Sequence, residues 1–384
     1  MLDQKLDQKI DSTLRLIAWE FTQKCNLNCL HCRGSATSNA SSEELSLSES
    51  RSFVDSLEDF NNTPIVIFSG GEPLIREDSF EVMEYASHRG LRVVLATNGV
   101  LIDRDKARTI KKIGVQRASI SLDGANEKSH DSFRGLSGAF KGAMDGIEEL
   151  KRAEVPFQIN TTITRRNLGE IKDIADFSIR IKAQALHIFL LVPTGRGKDL
   201  EGDAISAAEY EKVLRWFHEF GRQYPIQVKA TCAPHYYRIV HQLSGNLPAS
   251  HAPHGLSSYS RGCLGGTGFC FVSYKGDVCP CGYLPLVAGN IREERLGKIW
   301  AEAPLFQDLR NPDKLKGKCG RCEYRWICGG CRARAYSMSG DYLAEEPLCI
   351  YHPHQEGRHK EGHKQEEHNQ GEQNQKGHNR EGKP

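Results

Sequence analysis

At 384 residues the chain is long enough for about two domains. A net charge of +2, with 26% charged residues, gives no reason to expect a polyanionic partner such as nucleic acid. No apolar run approaches the roughly 20 residues needed to cross a bilayer. The N-terminus MLDQKLDQKI lacks the basic and apolar regions of a signal peptide, so a cytoplasmic protein without a membrane span is expected.

From residue 14 to about 224, short β-branched apolar runs alternate with stretches of helical period. Strands are predicted at 14–22, 64–70, 92–99, 117–124, 156–164 and 185–193, with helical stretches such as 47–60 and 168–182 between them. Gly90 and Gly114 sit where helix C-caps are expected. Six βα units in a row imply an α/β fold with a parallel sheet, either a partial TIM-like (β/α)6 barrel or an open doubly wound sheet. The first domain is therefore placed at 1–224, and 225–250 reads as a connection. Between 251 and 351 turn residues and cysteines are dense, as in a small domain stabilised by metal clusters. The tail, 352–384, has hardly any apolar residue and is expected to be disordered. It holds six of the fifteen histidines, His352, His354, His359, His363, His368 and His378, a composition that can bind metal or simply be solvated.

Twelve of the thirteen cysteines are grouped, three at 25–32 and nine at 263–349; Cys232 stands apart and reads as a small buried hydrophobe. In a reducing compartment such grouping indicates metal ligation rather than disulfides. Cys25, Cys29 and Cys32 lie on one loop directly after the first strand. Three thiolates there can hold three irons of a cube and leave the fourth open to a bidentate amino-acid ligand. Zinc is the alternative, but a structural zinc site normally has four closed ligands.

This Cys-x3-Cys-x2-Cys spacing, with His31 before the last cysteine, resembles the signature of the radical S-adenosylmethionine (AdoMet) superfamily. Ser69-Gly70-Gly71-Glu72-Pro73 is similar to the family's GGEP segment, where backbone and glutamate receive the AdoMet amino group. Thr97-Asn98-Gly99 follows the third strand. Ser119, Ser121 and Asp123 end the fourth, where the resemblance implies contact with ribose and carboxylate. Arg134 is a carboxylate partner by guanidinium geometry, and Asn160 lies on the fifth strand. All of these fall at or near C-terminal strand ends, the face on which parallel α/β barrels build active sites.

The second cysteine group is similar to the SPASM module, which carries auxiliary [4Fe-4S] clusters. Carried over by position, Cys319, Cys322, Cys328 and Cys349 would hold one cluster. Cys263, Cys270, Cys281 and Cys331 would hold another, with Cys279 spare. Cys328-x2-Cys331 is one residue shorter than the usual pattern, which leaves the allocation of Cys331, and one or two auxiliary clusters, open. A zinc ribbon would account for Cys319–Cys331 but leave the other cysteines idle.

Across 14–351 the chain resembles the radical AdoMet proteins of haem and haem d1 biosynthesis, most of all the heme b synthases of the siroheme-dependent pathway. The phrases that carry this include Arg15-Leu-Ile-Ala-Trp19-Glu20-Phe-Thr22, Arg261-Gly-Cys263 and Trp326-Ile-Cys328-Gly-Gly-Cys331. The resemblance implies an iron-porphyrin substrate, Fe-coproporphyrin III, two of whose propionates become vinyl groups. It also implies an electron donor such as ferredoxin or flavodoxin, and sensitivity to oxygen. Arg165, Arg166 and Arg196 are candidate propionate contacts at the barrel mouth, and His235, Tyr236 and Tyr237 candidate haem-iron or pocket residues. Another porphyrin side-chain reaction, peptide maturation, and non-enzymatic haem handling by the tail are the competing readings.

Overall fold

The computed structural model describes residues 12–244 and 261–353. Of the tail expected to be disordered, all but 352–353 lies outside the described residues, with His354, His359, His363, His368 and His378. All six expected strands form: β1 (Leu16–Thr22), β2 (Ile65–Gly70), β3 (Arg92–Thr97), β4 (Arg117–Ser121), β5 (Phe157–Ile163) and β6 (Ala185–Leu190). They pair in parallel in chain order. Helices α1 (Leu47–Ser56), α2 (Ser79–His88), α3 (Arg104–Lys112), α4 (Glu127–Arg134), α5 (Ala139–Arg152), α6 (Ile171–Arg180) and α7 (Ala207–Gln223) alternate with them. Residues from β2 to β6 line one cavity, so the sheet is concave and forms a partial barrel.

The sheet is larger than the six strands. Within 225–250, β7 (Gln227–Thr231) pairs in parallel with β6, and α8 (His235–Ser244) follows. At the opposite edge β8 (Phe269–Val272) adds in parallel to β1, and the short β9 (Asp277–Cys279) and β10 (Gly289–Asn290) continue antiparallel. The cysteine-rich region thus shares a sheet with the barrel. Helices α9 (Leu296–Glu302), α10 (Pro304–Leu309), α11 (Gly317–Gly320) and α12 (Arg332–Ser339) complete it.

Local chemistry explains the element ends. Ser46 and Glu49 form a capping box at the start of α1, and Ser206 and Glu209 do the same for α7. Under β1, Trp19 packs edge-on against Phe53 and Phe21 at centroid distances of 4.9 and 5.0 Å. Burying each such ring contributes about 1.5–3 kcal/mol. This packing fixes the strand from which the first cysteine loop departs. Among the described residues no helix is long and apolar enough to cross a membrane.

Candidate active site and cluster ligands

The loop after β1 carries Cys25, Cys29 and Cys32, and its backbone is held from two sides. Gly71 N–H donates to Thr22 O (2.7 Å) and Glu72 N–H to Lys24 O (2.8 Å), while Leu30 N–H donates to Phe133 O of α4 (3.0 Å). A Cβ on Gly71 would lie 2.0 Å from Lys24 O, so the close approach of the β2 turn to the loop requires glycine. The sulfurs receive donors as well: Leu27 N–H on Cys25 Sγ (3.4 Å), Ala36 N–H on Cys32 Sγ (3.3 Å) and Arg134 Nη1 on Cys29 Sγ (3.7 Å).

Burial pushes the Cys25 thiol up to about 12, so a thiolate there needs a cation to hold it. Among the described residues no three His, Cys, Asp or Glu side chains converge on a single ion. Zinc demands that convergence, whereas an iron–sulfur cube takes each thiolate on a different iron. The three thiols and their donors fit the cube.

Beside the loop an open cavity of about 930 Å3 is lined by Cys25, Cys29, His31, Cys32, Gly70, Gly71, Thr97, Asn98, Ser119, Ser121, Arg134 and Asn160. Arg33, Thr162, Phe189, Arg196 and Tyr283 also line it. Thr162 lies two residues after Asn160 on the same face of β5, a period-two signal that the sequence carries, while Phe189 comes from β6. Tyr283 arrives from the cysteine-rich region, and no local pattern announces it. His31 stacks on Phe133 with centroids 4.4 Å apart, and burial lowers its pKa to about 4, so the ring is neutral.

Three residues expected to touch AdoMet stand behind this wall. Glu72 is 0% exposed; it accepts from Thr97 Oγ1 (2.8 Å), Asn98 N–H (2.8 Å) and Leu74 N–H (3.2 Å), while burial pushes its carboxyl up to about 7. Pro73 is buried and opens the short 3-10 turn that follows. Asp123, also fully buried, accepts from Thr162 N–H at 2.7 Å and pairs with Arg134 Nη2 at 2.6 Å. Arg134 is therefore not a free carboxylate receptor: one terminal nitrogen faces Asp123 and the other Cys29. Glu72 braces the β2 and β3 turns. Glu72→Ala leaves three donors without their acceptor and should cost about 2–3 kcal/mol. Chemical denaturation, with AdoMet affinity measured alongside, checks this.

The basic residues divide. Arg196 lines the cavity, with Nε on Cys29 O (2.9 Å) and Nη1 on Ala36 O (2.7 Å), so it clasps the cysteine loop. Arg165 and Arg166 are exposed and bind Ala204 O (2.9 Å) and Asp203 Oδ2 (2.8 Å), outside the cavity lining. They tie down the segment before α7 instead of forming the expected clamp. Replacing both with alanine should leave porphyrin affinity within about twofold, since exposed pairs contribute little; a Soret titration measures it.

In the second group, Cys319, Cys322, Cys328 and Cys349 line a single cavity together with His235 and Arg238. Glu346 N–H donates to Cys319 Sγ (3.3 Å), and backbone N–H groups of Tyr324, Gly330 and Tyr351 lie close to Cys322, Cys328 and Cys349. His235 is buried here, edge-on to Tyr210 at 4.8 Å, so it faces these cysteines and not the barrel mouth. Tyr236 packs against Phe217. Cys263, Cys281 and Cys331 face one another elsewhere. Cys270 does not join them: it lies in β8, paired with Ile17 and 0% exposed, with Cys279 as its thiol neighbour. Its place in the strand sets it apart from the ligand set carried over by resemblance.

A three-cysteine cluster loop beside a polar cavity at the strand ends of a partial barrel defines a radical AdoMet enzyme, here joined to a cysteine-rich auxiliary region. Residues 19–178 match the model of the radical SAM superfamily, and 263–323 match SPASM, an iron–sulfur cluster-binding domain. The chain is 53% identical over 341 residues to an AdoMet-dependent heme synthase of Methanosarcina barkeri, covering 88% of this chain and 97% of that protein. To the AdoMet-dependent heme synthase of Nitratidesulfovibrio vulgaris it is 51% identical, covering 89% and 94%. The chain belongs to the radical SAM family of AdoMet-dependent heme synthases. In fold it is similar to Streptococcus suis SuiB bound to its precursor peptide SuiA, with TM-score 0.70, 18% identity and coverage of 89% and 77%.

Proposed function

We propose that the enzyme converts Fe-coproporphyrin III to heme b by oxidative decarboxylation of two propionates. The observation that carries this reading is identity above 50% with AdoMet-dependent heme synthases along nearly their whole length. Each propionate loses a hydrogen atom from its β-carbon, then CO2 and one electron, leaving a vinyl group. When bound, the reduced cluster and AdoMet supply a 5′-deoxyadenosyl radical, and an auxiliary cluster supplies an electron acceptor.

The chain's own residues place and shield these parts. Cys25, Cys29 and Cys32 hold the AdoMet-cleaving [4Fe-4S] cluster, and Cys319, Cys322, Cys328 and Cys349 an auxiliary one. Gly70, Gly71, Thr97 and Asn98 present backbone and side-chain partners to the methionine end of AdoMet. Ser119, Ser121 and Asn160 offer hydroxyl and amide groups to its ribose. Neutral His31 and the apolar Phe189 and Tyr283 rings keep water from the reacting carbon. Arg196 lines the cavity and its Nη2 has no protein partner, so it is the cation assigned to a substrate carboxylate. The protein acts in the cytoplasm, where ferredoxin or flavodoxin supplies the electron.

The test uses Fe-coproporphyrin III deuterated at the propionate β-carbons. Deuterium should appear in 5′-deoxyadenosine; unlabelled 5′-deoxyadenosine with intact porphyrin would contradict the reading.

A further inference from the structure

Three cysteines of the second group, Cys263, Cys281 and Cys331, face one another, and a [4Fe-4S] cluster takes four ligands. Position in the sequence offers Cys270 as the fourth. The fold does not, because Cys270 packs with Ile17 and Val272 in the main core. Cys232 takes its place. It follows β7 directly, at the same strand-end face as the AdoMet cavity. Its thiol lies beside that of Cys331 and in the field of Cys281. Cys232, Cys281 and Cys331 also share one small packing cluster with Val192, Leu284 and Ala333.

The backbone is set for this arrangement. Cys232 has φ +56°, a left-handed conformation that costs a residue other than glycine roughly 1–2 kcal/mol and persists where the surroundings impose it. Its carbonyl is gripped by Arg334 Nη2 and Tyr210 Oη, each at 2.9 Å. Gly329 and Gly330, with φ +71° and +61°, turn the chain between Cys328 and Cys331. Cys328 thereby enters the cavity of Cys319, Cys322 and Cys349, while Cys331 turns toward Cys232. The two-residue spacing of that pair is thus compatible with two separate clusters. Backbone N–H groups of Gly265, Tyr283 and Arg334 lie close to Cys263, Cys281 and Cys331, where they would tune an iron-bound sulfur.

We propose that Cys232, supplied by the barrel's seventh strand, is the fourth ligand of an auxiliary [4Fe-4S] cluster completed by Cys263, Cys281 and Cys331, and that Cys270 is a core residue. The cluster then staples barrel and cysteine-rich region together. It also sits beside Tyr283, which lines the AdoMet cavity. This inference rests on the iron–sulfur assignment and not on the identity of the porphyrin.

The test is iron and sulfide content, with EPR of the dithionite-reduced protein, for anaerobically reconstituted full-length chain and its Cys232→Ala, Cys232→Ser and Cys270→Ala variants. Wild type should hold about twelve irons, and Cys232→Ala about four fewer, or the same number with one altered signal that responds to an added small thiol. Cys232→Ser should retain the cluster through oxygen, with that signal shifted. Cys270→Ala should match wild type in iron and spectrum. The AdoMet-sensitive signal of the first cluster reports an intact barrel in each variant. An unchanged spectrum and iron count in Cys232→Ala, or loss of about four irons in Cys270→Ala, would overturn the assignment. Porphyrin plays no part, so failure of the proposed reaction leaves this result readable.

Discussion

Replacing Arg334 with methionine destabilises the fold by about 3–5 kcal/mol, the cost of leaving a buried charge without its partner. Arg334 pairs with Glu346 at 3.2 Å, and the two side chains are 2% and 0% exposed. The same guanidinium reaches the carbonyls of Leu191 (3.2 Å), Leu190 (3.3 Å) and Cys232 (2.9 Å). One side chain of α12 therefore secures the C-terminal ends of β6 and β7. Adding Glu346→Leu removes the orphaned carboxylate and should recover part of the loss. Full recovery is not expected, because Glu346 also accepts from Cys331 N–H at 2.8 Å and Leu348 N–H at 3.2 Å. Chemical denaturation of the three proteins measures both steps. A single variant within about 1 kcal/mol of wild type would show that the clasp contributes little.

Cys29→Ala should abolish 5′-deoxyadenosine formation, to the level of a control without enzyme. Iron should fall by about four atoms per chain while the auxiliary signals persist. Cys29 is the most enclosed of the three thiols in its loop, 8% exposed, and the one that Arg134 faces. Removing it takes a ligand from the cluster and leaves the Arg134 guanidinium with Asp123 alone. Conversion of AdoMet at even a few per cent of the wild-type rate would place the cleaving cluster elsewhere.

The parts of this molecule that were legible in the sequence are those written in local periodicity. The strands from Leu16–Thr22 to Ala185–Leu190 stand out because both faces are covered, which makes β-branched apolar runs. The Cys25–Cys32 loop is legible because its three cysteines fall within one short segment. β7 escapes notice because Gln227–Thr231 has one buried residue and a lysine at its centre. The pairing of β8 with β1 joins residues about 250 apart, which no window of sequence reveals. That pairing sets Cys270 in the core, just as β7 brings Cys232 beside Cys281 and Cys331. Spacing identifies a set of ligands, but the strands decide which of them meet.

Side-chain roles were hidden for a related reason. Glu72, Asp123 and Arg134 occupy motif positions, yet their polar atoms serve the wall of the cavity more than its interior. Arg165 and Arg166 follow a strand end, but Asp203 and Ala204 come back across the chain to meet them. Position at a strand end places a residue near the active face. Its partner, often distant in sequence, decides where the side chain points.

The most direct measurement is anaerobic incubation of the reconstituted enzyme with AdoMet, a strong reductant and Fe-coproporphyrin III, with porphyrin and 5′-deoxyadenosine followed by mass spectrometry. Stepwise loss of two carboxyl groups to give heme b, with 5′-deoxyadenosine formed alongside, is the expected result. 5′-Deoxyadenosine formed over an unchanged porphyrin, with all clusters intact, would contradict the account.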